Sequence, residues 1–184
     1  MIAIAGPPGA GKSTLAAALC EVLRDRGENA VVVPMDGFHF DDVVLKARGH
    51  RARKGAPHTF DVAGFEVALR RIRAIEADVA IPIFDRHLEA SHAAAAVVAA
   101  DARLIIVEGN YLLLRQEPWD NLLPLFDLTV FLSVPYPELE RRLTGRILAH
   151  GHDEAQARHW IESNDLPNAR LVLENSAKAD LTLS

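Results

Sequence analysis

The sequence predicts an α/β fold: a central parallel sheet with helices packed on both of its faces. Three observations predict it. Short, mostly apolar runs at residues 2–5, 30–35, 103–109 and 128–134 alternate with segments whose apolar residues recur at helical spacing. Within the runs the apolar residues are continuous, the pattern of strands covered on both sides. The first run, Ile2-Ala3-Ile4-Ala5, passes through a glycine-rich loop into a helical pattern carried by Leu15, Ala16, Leu19, Val22 and Leu23.

Composition sets the outer limits. A chain of 184 residues, 49% hydrophobic and 24% charged, has the material for one packed domain spanning 1–184 and is too apolar for disorder. The net charge of −5 excludes a broad nucleic-acid footprint, which is basic, so any anion recognition is local. No run reaches the ~18 apolar residues of a membrane span, and no charged-then-apolar leader opens the chain. A cytoplasmic location is therefore expected, with no membrane partner. Cys20 is the single cysteine, which rules out an internal disulfide and suits a small buried role in the first helix.

The loop is Gly6-Pro7-Pro8-Gly9-Ala10-Gly11-Lys12-Ser13-Thr14, a match to G-x-x-x-x-G-K-[ST] in the strand–loop–helix context that the phosphate-binding motif requires. Pro7 and Pro8 have no N–H, so an amide cradle must come from Gly9, Ala10, Gly11, Lys12, Ser13 and Thr14. Gly9 and Gly11 permit positive φ and close approach to an anion. The helix beginning near Lys12 aims its free amides and positive dipole end at the same point. Lys12 adds a point charge, and the Ser13 hydroxyl suits Mg²⁺, which prefers oxygen ligands.

Arg26-Gly27-Glu28-Asn29 stops the first helix. The strand over 30–35 follows, and ligands of parallel sheets bind beyond the carboxyl ends of the strands. Asp36 stands at that end, placed either to accept a hydroxyl proton or as a turn or capping aspartate. His39, Asp41 and Asp42 follow as turn residues or substrate contacts. Lys46, Arg48, His50, Arg51, Arg53 and Lys54 make a basic stretch without an acid among residues 46–54, either a solvated loop or a local anion site. A helix over 64–76 comes next, with Asp61 as its cap or as a substrate contact. Residues 79–84 read as an edge or short strand because of Pro82, ending in Asp85-Arg86-His87 on the presumed active edge. Arg86 and His87 are candidate substrate contacts. Residues 89–101 are alanine-rich and read as helix by propensity or as extended by Val97-Val98.

The strand over 103–109 delivers Glu108 to its end, the position from which an acid holds Mg²⁺ or its water shell. Pro118 opens a short helix or turn over 119–126. Pro137 opens a helix carrying Glu138, Arg142, Arg146 and His150 on one face, with Arg141 beside them. Glu138 neutralises Arg142; Arg146 and His150 have no acid on that stripe, and arginines over transferring phosphates stabilise developing charge. Gly145 weakens this helix. Asp153 caps another helix, residues 164–168 break the chain, and a last helix and a strand over 180–183 close it.

In GPPGAGKST at 6–14, PMDGFHFDD at 34–42, RKGAPHTFD at 53–61, IFDRH at 83–87, LIIVEGNYLLL at 104–114 and RRLTGR at 141–146, the sequence resembles the phosphoribulokinase, uridine kinase and pantothenate kinase family of P-loop kinases. It looks closest to a bacterial nucleoside/nucleotide kinase-like branch, sometimes labelled fructose-transport kinase or fructokinase. The resemblance implies a three-layer P-loop NTPase fold with a central parallel sheet and a helical lid near residues 141–153. It further implies Asp36 as the catalytic base, Asp61 and His87 as substrate contacts, Glu108 as the acidic strand end, and Arg141, Arg142 and Arg146 as lid arginines.

The expected activity is ATP- and Mg²⁺-dependent phosphoryl transfer to a hydroxyl of a small molecule, a nucleoside- or pantothenate-like acceptor or, alternatively, a sugar such as fructose. A homodimer is a possible assembly. A nucleotide-dependent switch is a rival, since Ser176-Ala177-Lys178 and Asp61-Val62-Ala63-Gly64 echo GTPase motifs, but no Asn-Lys-x-Asp guanine reader is present. Against a non-catalytic ATP-binding module stands the intact Lys12, Asp36 and Glu108 set.

Overall fold

The structure, a computed structural model, describes residues 1–149, 151 and 153–184. His150 and part of the expected lid therefore lie outside the described residues. Among the described residues the central sheet has five parallel strands: β1 (Ile2–Ala5), β2 (Ala30–Pro34), β5 (Leu104–Gly109), β6 (Leu128–Leu132) and β7 (Leu181–Leu183), in the order β2-β5-β1-β6-β7. The helices are α1 (Lys12–Asp25), α2 (Asp42–Ala47), α3 (Val62–Arg73), α4 (Tyr136–Ala149), α5 (Glu154–Trp160) and α6 (Leu166–Asn175).

Successive residues of a strand point to opposite faces, and both faces are filled. Ala3, Ala5, Ile105 and Val107 pack with Phe65, Leu69 and Ile72 of α3 and with Leu122 and Leu125 of the turn Trp119–Leu125. Ile4, Ile106, Val130 and Leu132 pack with Ala16 and Cys20 of α1, Leu139 and Leu143 of α4, and Ala169 of α6. The result is the three-layer α/β arrangement, with β1 and β5 at its centre. Register then fixes the working edge: Glu108 lies level with Ile4 on one side and with Pro34 on the other. The loop after β1, the segment after β2 and the tip of β5 thus leave the sheet side by side.

The structure refines the sequence reading at three points. Residues 79–84 do form a strand, β3 (Val79–Asp85), but it pairs antiparallel with β4 (Ala90–Val98) in a separate hairpin outside the parallel sheet. The ladder shifts register between Ile81 and Ile83, around Pro82, which has no N–H to offer. The alanine-rich stretch is β4, so cross-strand pairing overrides alanine's helical preference. Residues 164–168 do not break the chain either. A π-helical turn, Ile161–Asp165, joins α5 to α6 through helical backbone. Pro167 cannot donate to a carbonyl one turn back; Arg53 instead donates through Nη1 to the Ser163 carbonyl. Finally, the acid missing from the Arg146 stripe comes from that turn, since Arg146 Nη2 lies 3.3 Å from Asp165 Oδ2.

The hairpin is seated by Gly37, whose missing side chain makes room for the backbone carbonyl of Pro82; a Cβ there would overlap it. Backbone cannot rotate away as a side chain can. Gly37→Ala is expected to destabilise the protein by ~1–3 kcal/mol, read as a lower urea midpoint at unchanged slope.

Candidate active site

Gly9 and Gly11 take φ of 81° and 95°, as the loop expectation requires. Helix α1 starts without a side-chain cap at Gly11, which leaves its first-turn N–H groups for a ligand. Ala10 departs from the expected cradle: its N–H donates to the Pro7 carbonyl at 3.1 Å. Lys12 Nζ also donates to that carbonyl, at 3.0 Å, which folds the side chain under the loop.

Lys12 and Glu108 are buried side by side, 7% and 6% exposed. Burial pushes the Lys12 ammonium down to about 8, and Glu108 and Asp36 only partly restore it. Burial likewise raises Glu108, reinforced by the nearby charge of Asp36; Lys12 and a hydrogen bond from Ser13 oppose the rise. Ser13, Glu108 and Lys12 therefore form one cluster, with Asp36 within its field. Asp36 itself holds Arg86 of the hairpin turn at 2.6 Å. So Arg86 reaches the site although its strand lies outside the main sheet.

These groups open onto a cleft of about 1020 Å³. Gly9, Gly11, Lys12, Ser13, Thr14, Arg142 and Arg146 line it on the phosphate-loop side, with Asp36, His39, Arg86 and Glu108 towards the other wall. Arg142 Nη1 approaches the Gly9 and Ala10 carbonyls at 3.5 Å each, and Glu138 holds both Arg141 and Arg142 at 2.7 Å. Asp61, His87 and Arg141 do not line the cleft. Asp61 caps α3, accepting the Gly64 N–H at 2.9 Å, because its side chain satisfies an orphan amide of the first turn. Asp41 caps α2 in the same way. His87 sits in the β3–β4 turn, where its N–H is held by Asp85.

His39 is wedged between Phe60 and Phe84, at centroid distances of 3.9 and 4.9 Å. Its Nδ1 donates to the Asp36 carbonyl at 2.7 Å, and burial lowers its pKa, so the neutral ring keeps Nε2 as an acceptor. The basic stretch is neither a plain solvated loop nor a bare anion site. Asp42 accepts from Arg51 Nε and from Lys54 Nζ, the latter at 2.8 Å; burial opposes its ionisation, but these two donors hold its carboxyl below the usual range. Arg51 and Lys54 line the cleft.

Sequence reasoning missed the wall built by α5, the π-helical turn and α6. Trp160, Asn164, Asp165 and Asn168 line the cleft, and Asn164 and Asn168 are 1% and 3% exposed. Asn164 Nδ2 donates to the Lys54 carbonyl at 2.7 Å, and Asn168 Oδ1 accepts from Arg53 at 3.1 Å. The spacing of Trp160, Asn164 and Asn168 at i, i+4 was the available signal.

Comparison with known proteins matches this arrangement to a family. The family model for phosphoribulokinase and uridine kinase aligns with residues 1–164. The chain belongs to the phosphoribulokinase/uridine kinase family. It is an ATP-dependent kinase with the P-loop kinase fold. A crystal structure from Silicibacter sp. TM1040, described as a "putative fructose transport system kinase", shares 42% identity and a TM-score of 0.95 over 100% of this chain and 88% of that one. The YggC protein of Escherichia coli K12 is 38% identical over 98% of this chain and 76% of its own length. A Schizosaccharomyces pombe protein named "Putative uridine kinase C227.14" is 33% identical over 100% of this chain and 82% of its own. Among the described residues no helix of this kinase is long and apolar enough to cross a membrane.

Two expectations follow from the site. A bound triphosphate favours the Lys12 ammonium and raises its pKa from about 8 in the free enzyme. Below pH 8 the lysine is already charged; above it, binding must take up a proton. Nucleotide affinity is thus expected to fall by up to about tenfold per pH unit above 8, with proton uptake visible in calorimetry run in buffers of different ionisation heat. Asn164→Ala leaves the Lys54 carbonyl without its buried donor and is expected to cost ~1–3 kcal/mol in chemical unfolding, with Asn164→Asp no better because it offers no N–H.

Proposed function

We propose that this kinase transfers the γ-phosphoryl group of ATP, as its Mg²⁺ complex, to a hydroxyl of a small molecule, a nucleoside- or pantothenate-like acceptor. One observation carries the reading. Three adjacent strands deliver the amide loop with Lys12, the Glu108 carboxylate and Asp36 to a single cleft. The donor chemistry fits the metal: Ser13 and Glu108 present hydrogen-bonded oxygens that would hold it, and among the described residues no cluster of three His, Cys, Asp or Glu side chains forms a dedicated cage. Mg²⁺ is held in that manner, by few protein oxygens together with phosphate oxygens, and it neutralises charge on the phosphoryl group.

The loop amides of Gly9 and Gly11–Thr14 and the Lys12 ammonium bind the terminal phosphates. Asp36 accepts or orients the proton of the acceptor hydroxyl, and Arg86, held against it, fixes the carboxylate until the acceptor arrives. Arg142 and Arg146, above the loop on α4, offset charge that develops on the transferred group. His39 offers Nε2 as an acceptor beside Asp36. With acceptor and nucleotide in place, these side chains crowd water from the cleft.

A sugar acceptor is the second reading, favoured by the printed name of the Silicibacter relative. A screen of nucleosides, pantothenate and sugars with ADP release as the readout separates the two. Asp36→Asn is expected to lower acceptor-dependent turnover by ~10²–10⁴-fold while nucleotide affinity holds, and full activity in that variant removes the base assignment. Lys12→Ala is expected to abolish transfer.

A further inference from the structure

The acceptor side of the cleft carries features that discriminate among these candidates. Two phenylalanine rings are present, but their faces are taken. Phe60 and Phe84 pack on His39, and Lys54 Nζ lies over the Phe84 ring at 5.2 Å from its centroid. A nucleobase stacks on an open ring face, which these two rings do not offer; Trp160, at the end of α5, is the other large aromatic side chain lining the cleft. What the acceptor side offers is hydrogen-bond donors on cations.

Lys54 is the centre of that set. Its side chain is 5% exposed, lines the cleft and is fastened at both ends: Asn164 holds its carbonyl, while its ammonium donates to Asp42 Oδ1 at 2.8 Å and to the Glu89 carbonyl at 2.6 Å. An ammonium has three donors, so one is unspent. Arg51, beside it, gives Nε to Asp42 and has no hydrogen bond from its terminal nitrogens among the described residues. One carboxylate, Asp42, therefore serves both Arg51 and Lys54, with Lys46 at 4.0 Å as a third cation. Glu89, 3.9 Å from Lys54, is more than half exposed at the rim. Across from them Arg86 is paired with Asp36, and the charges of Glu108 and Asp165 also reach it. Once Asp36 turns to an acceptor hydroxyl, Arg86 gives up its direct hydrogen-bonded partner. Helix α2 and the turn after it hold Lys46, Arg51 and Lys54 against Asp42, with Glu89 at the rim, a local excess of positive charge beside the cleft.

We propose that the acceptor carries its own anionic group, a carboxylate or a phosphate, seated between Lys54 and Arg51 while its hydroxyl faces Asp36. This inference rests on the kinase reading above and narrows its acceptor to hydroxy acids and phosphorylated polyols, against neutral nucleosides and free sugars. The fork of Arg51 matches a planar carboxylate or two phosphate oxygens, and the Lys54 ammonium supplies a buried point charge.

The test uses matched pairs differing only in the anion: pantothenate and pantothenol, glycerate and glycerol, fructose 6-phosphate and fructose, uridine 5′-monophosphate and uridine. The first two pairs probe a carboxylate and the last two a phosphate. Phosphorylation is followed by ADP release. The expected result is that the anionic member of at least one pair turns over with kcat/KM about tenfold or more above its neutral partner. Lys54→Met and Arg51→Gln should then erase that preference mainly through KM, while the affinity for a fluorescent ATP analogue is kept. Arg51 is half-buried, so the second variant stays informative should the first fail to fold. A neutral member that equals or outperforms its partner overturns the proposal, as does a preference that survives both variants. If no member of any pair is phosphorylated, the acceptor screen counts against the transfer reading, and the anion site is tested by binding. Pantothenate, glycerate or inorganic phosphate should stabilise the protein saturated with a non-hydrolysable ATP analogue, and both variants should lose that stabilisation. No stabilisation of the native chain overturns the anion site itself.

Discussion

A buried ammonium in the field of a buried carboxylate, Glu108, and a half-buried one, Asp36, is the constraint on which this molecule depends. Lys12 is almost fully removed from water, and burial costs it charge stability to the point that its pKa lies near 8. Glu108 is forced in the opposite direction for the same reason. Each supplies part of the counter-charge that burial denies the other. Such a site is stable only where the surrounding backbone is rigid. The parallel sheet gives that rigidity, since Glu108 lies level with Ile4 and Pro34 in a three-strand register. Gly109 contributes as well: a Cβ there would come within 2.5 Å of Met35 Cβ, so only glycine lets the tip of β5 and the segment bearing Asp36 lie in contact.

The second organising element is the π-helical turn. From one helical turn and the residue three beyond it, Asp165 reaches Arg146 on α4, Asn164 reaches the Lys54 carbonyl, and Asn168 reaches Arg53. Burial raises the Asp165 pKa, and Arg146 works against that rise. A regular helix would carry these side chains at a different phase, and an insertion of this kind re-aims them. The phosphate-side arginine and the acceptor-side lysine are thereby tied to the same rigid piece of backbone.

How much of this could be read in the sequence follows from the range of the physics involved. The phosphate loop, α1, and the acids after β2 and β5 were legible because local rules govern them: glycine dihedrals, a missing proline N–H and continuous apolar strands. The hairpin and the α5–α6 wall were not. Ala90–Val98 carries a helical composition that only pairing with β3 overrides, and Asn164-Asp165-Leu166-Pro167-Asn168 carries every local mark of a break. What sustains the helix there is Arg53, more than 100 residues earlier in the chain, accepting a role that Pro167 vacates. Asp61 shows the reverse case. Its spacing suits a ligand contact, but the nearest orphan amides belong to its own helix, and a local cap wins.

The division between what is local and what is long-range has a functional counterpart. Every group that meets phosphate or metal in the proposed reaction, apart from the α4 arginines, sits in or directly after a strand of the parallel sheet. The groups assigned to the acceptor come from elsewhere: Arg86 from the β3–β4 turn, Arg51 and Lys54 from the turn after α2, and Asn164 from the helical junction. None of these shares a hydrogen-bonded strand ladder with Lys12. A change in the hairpin or in the turn can therefore alter what is phosphorylated without disturbing how phosphate is held, because the sheet register that fixes Glu108 and Asp36 is indifferent to both. Lys54 is the point where the two meet: its backbone is braced by the same turn that holds Arg146, and its side chain lines the cleft.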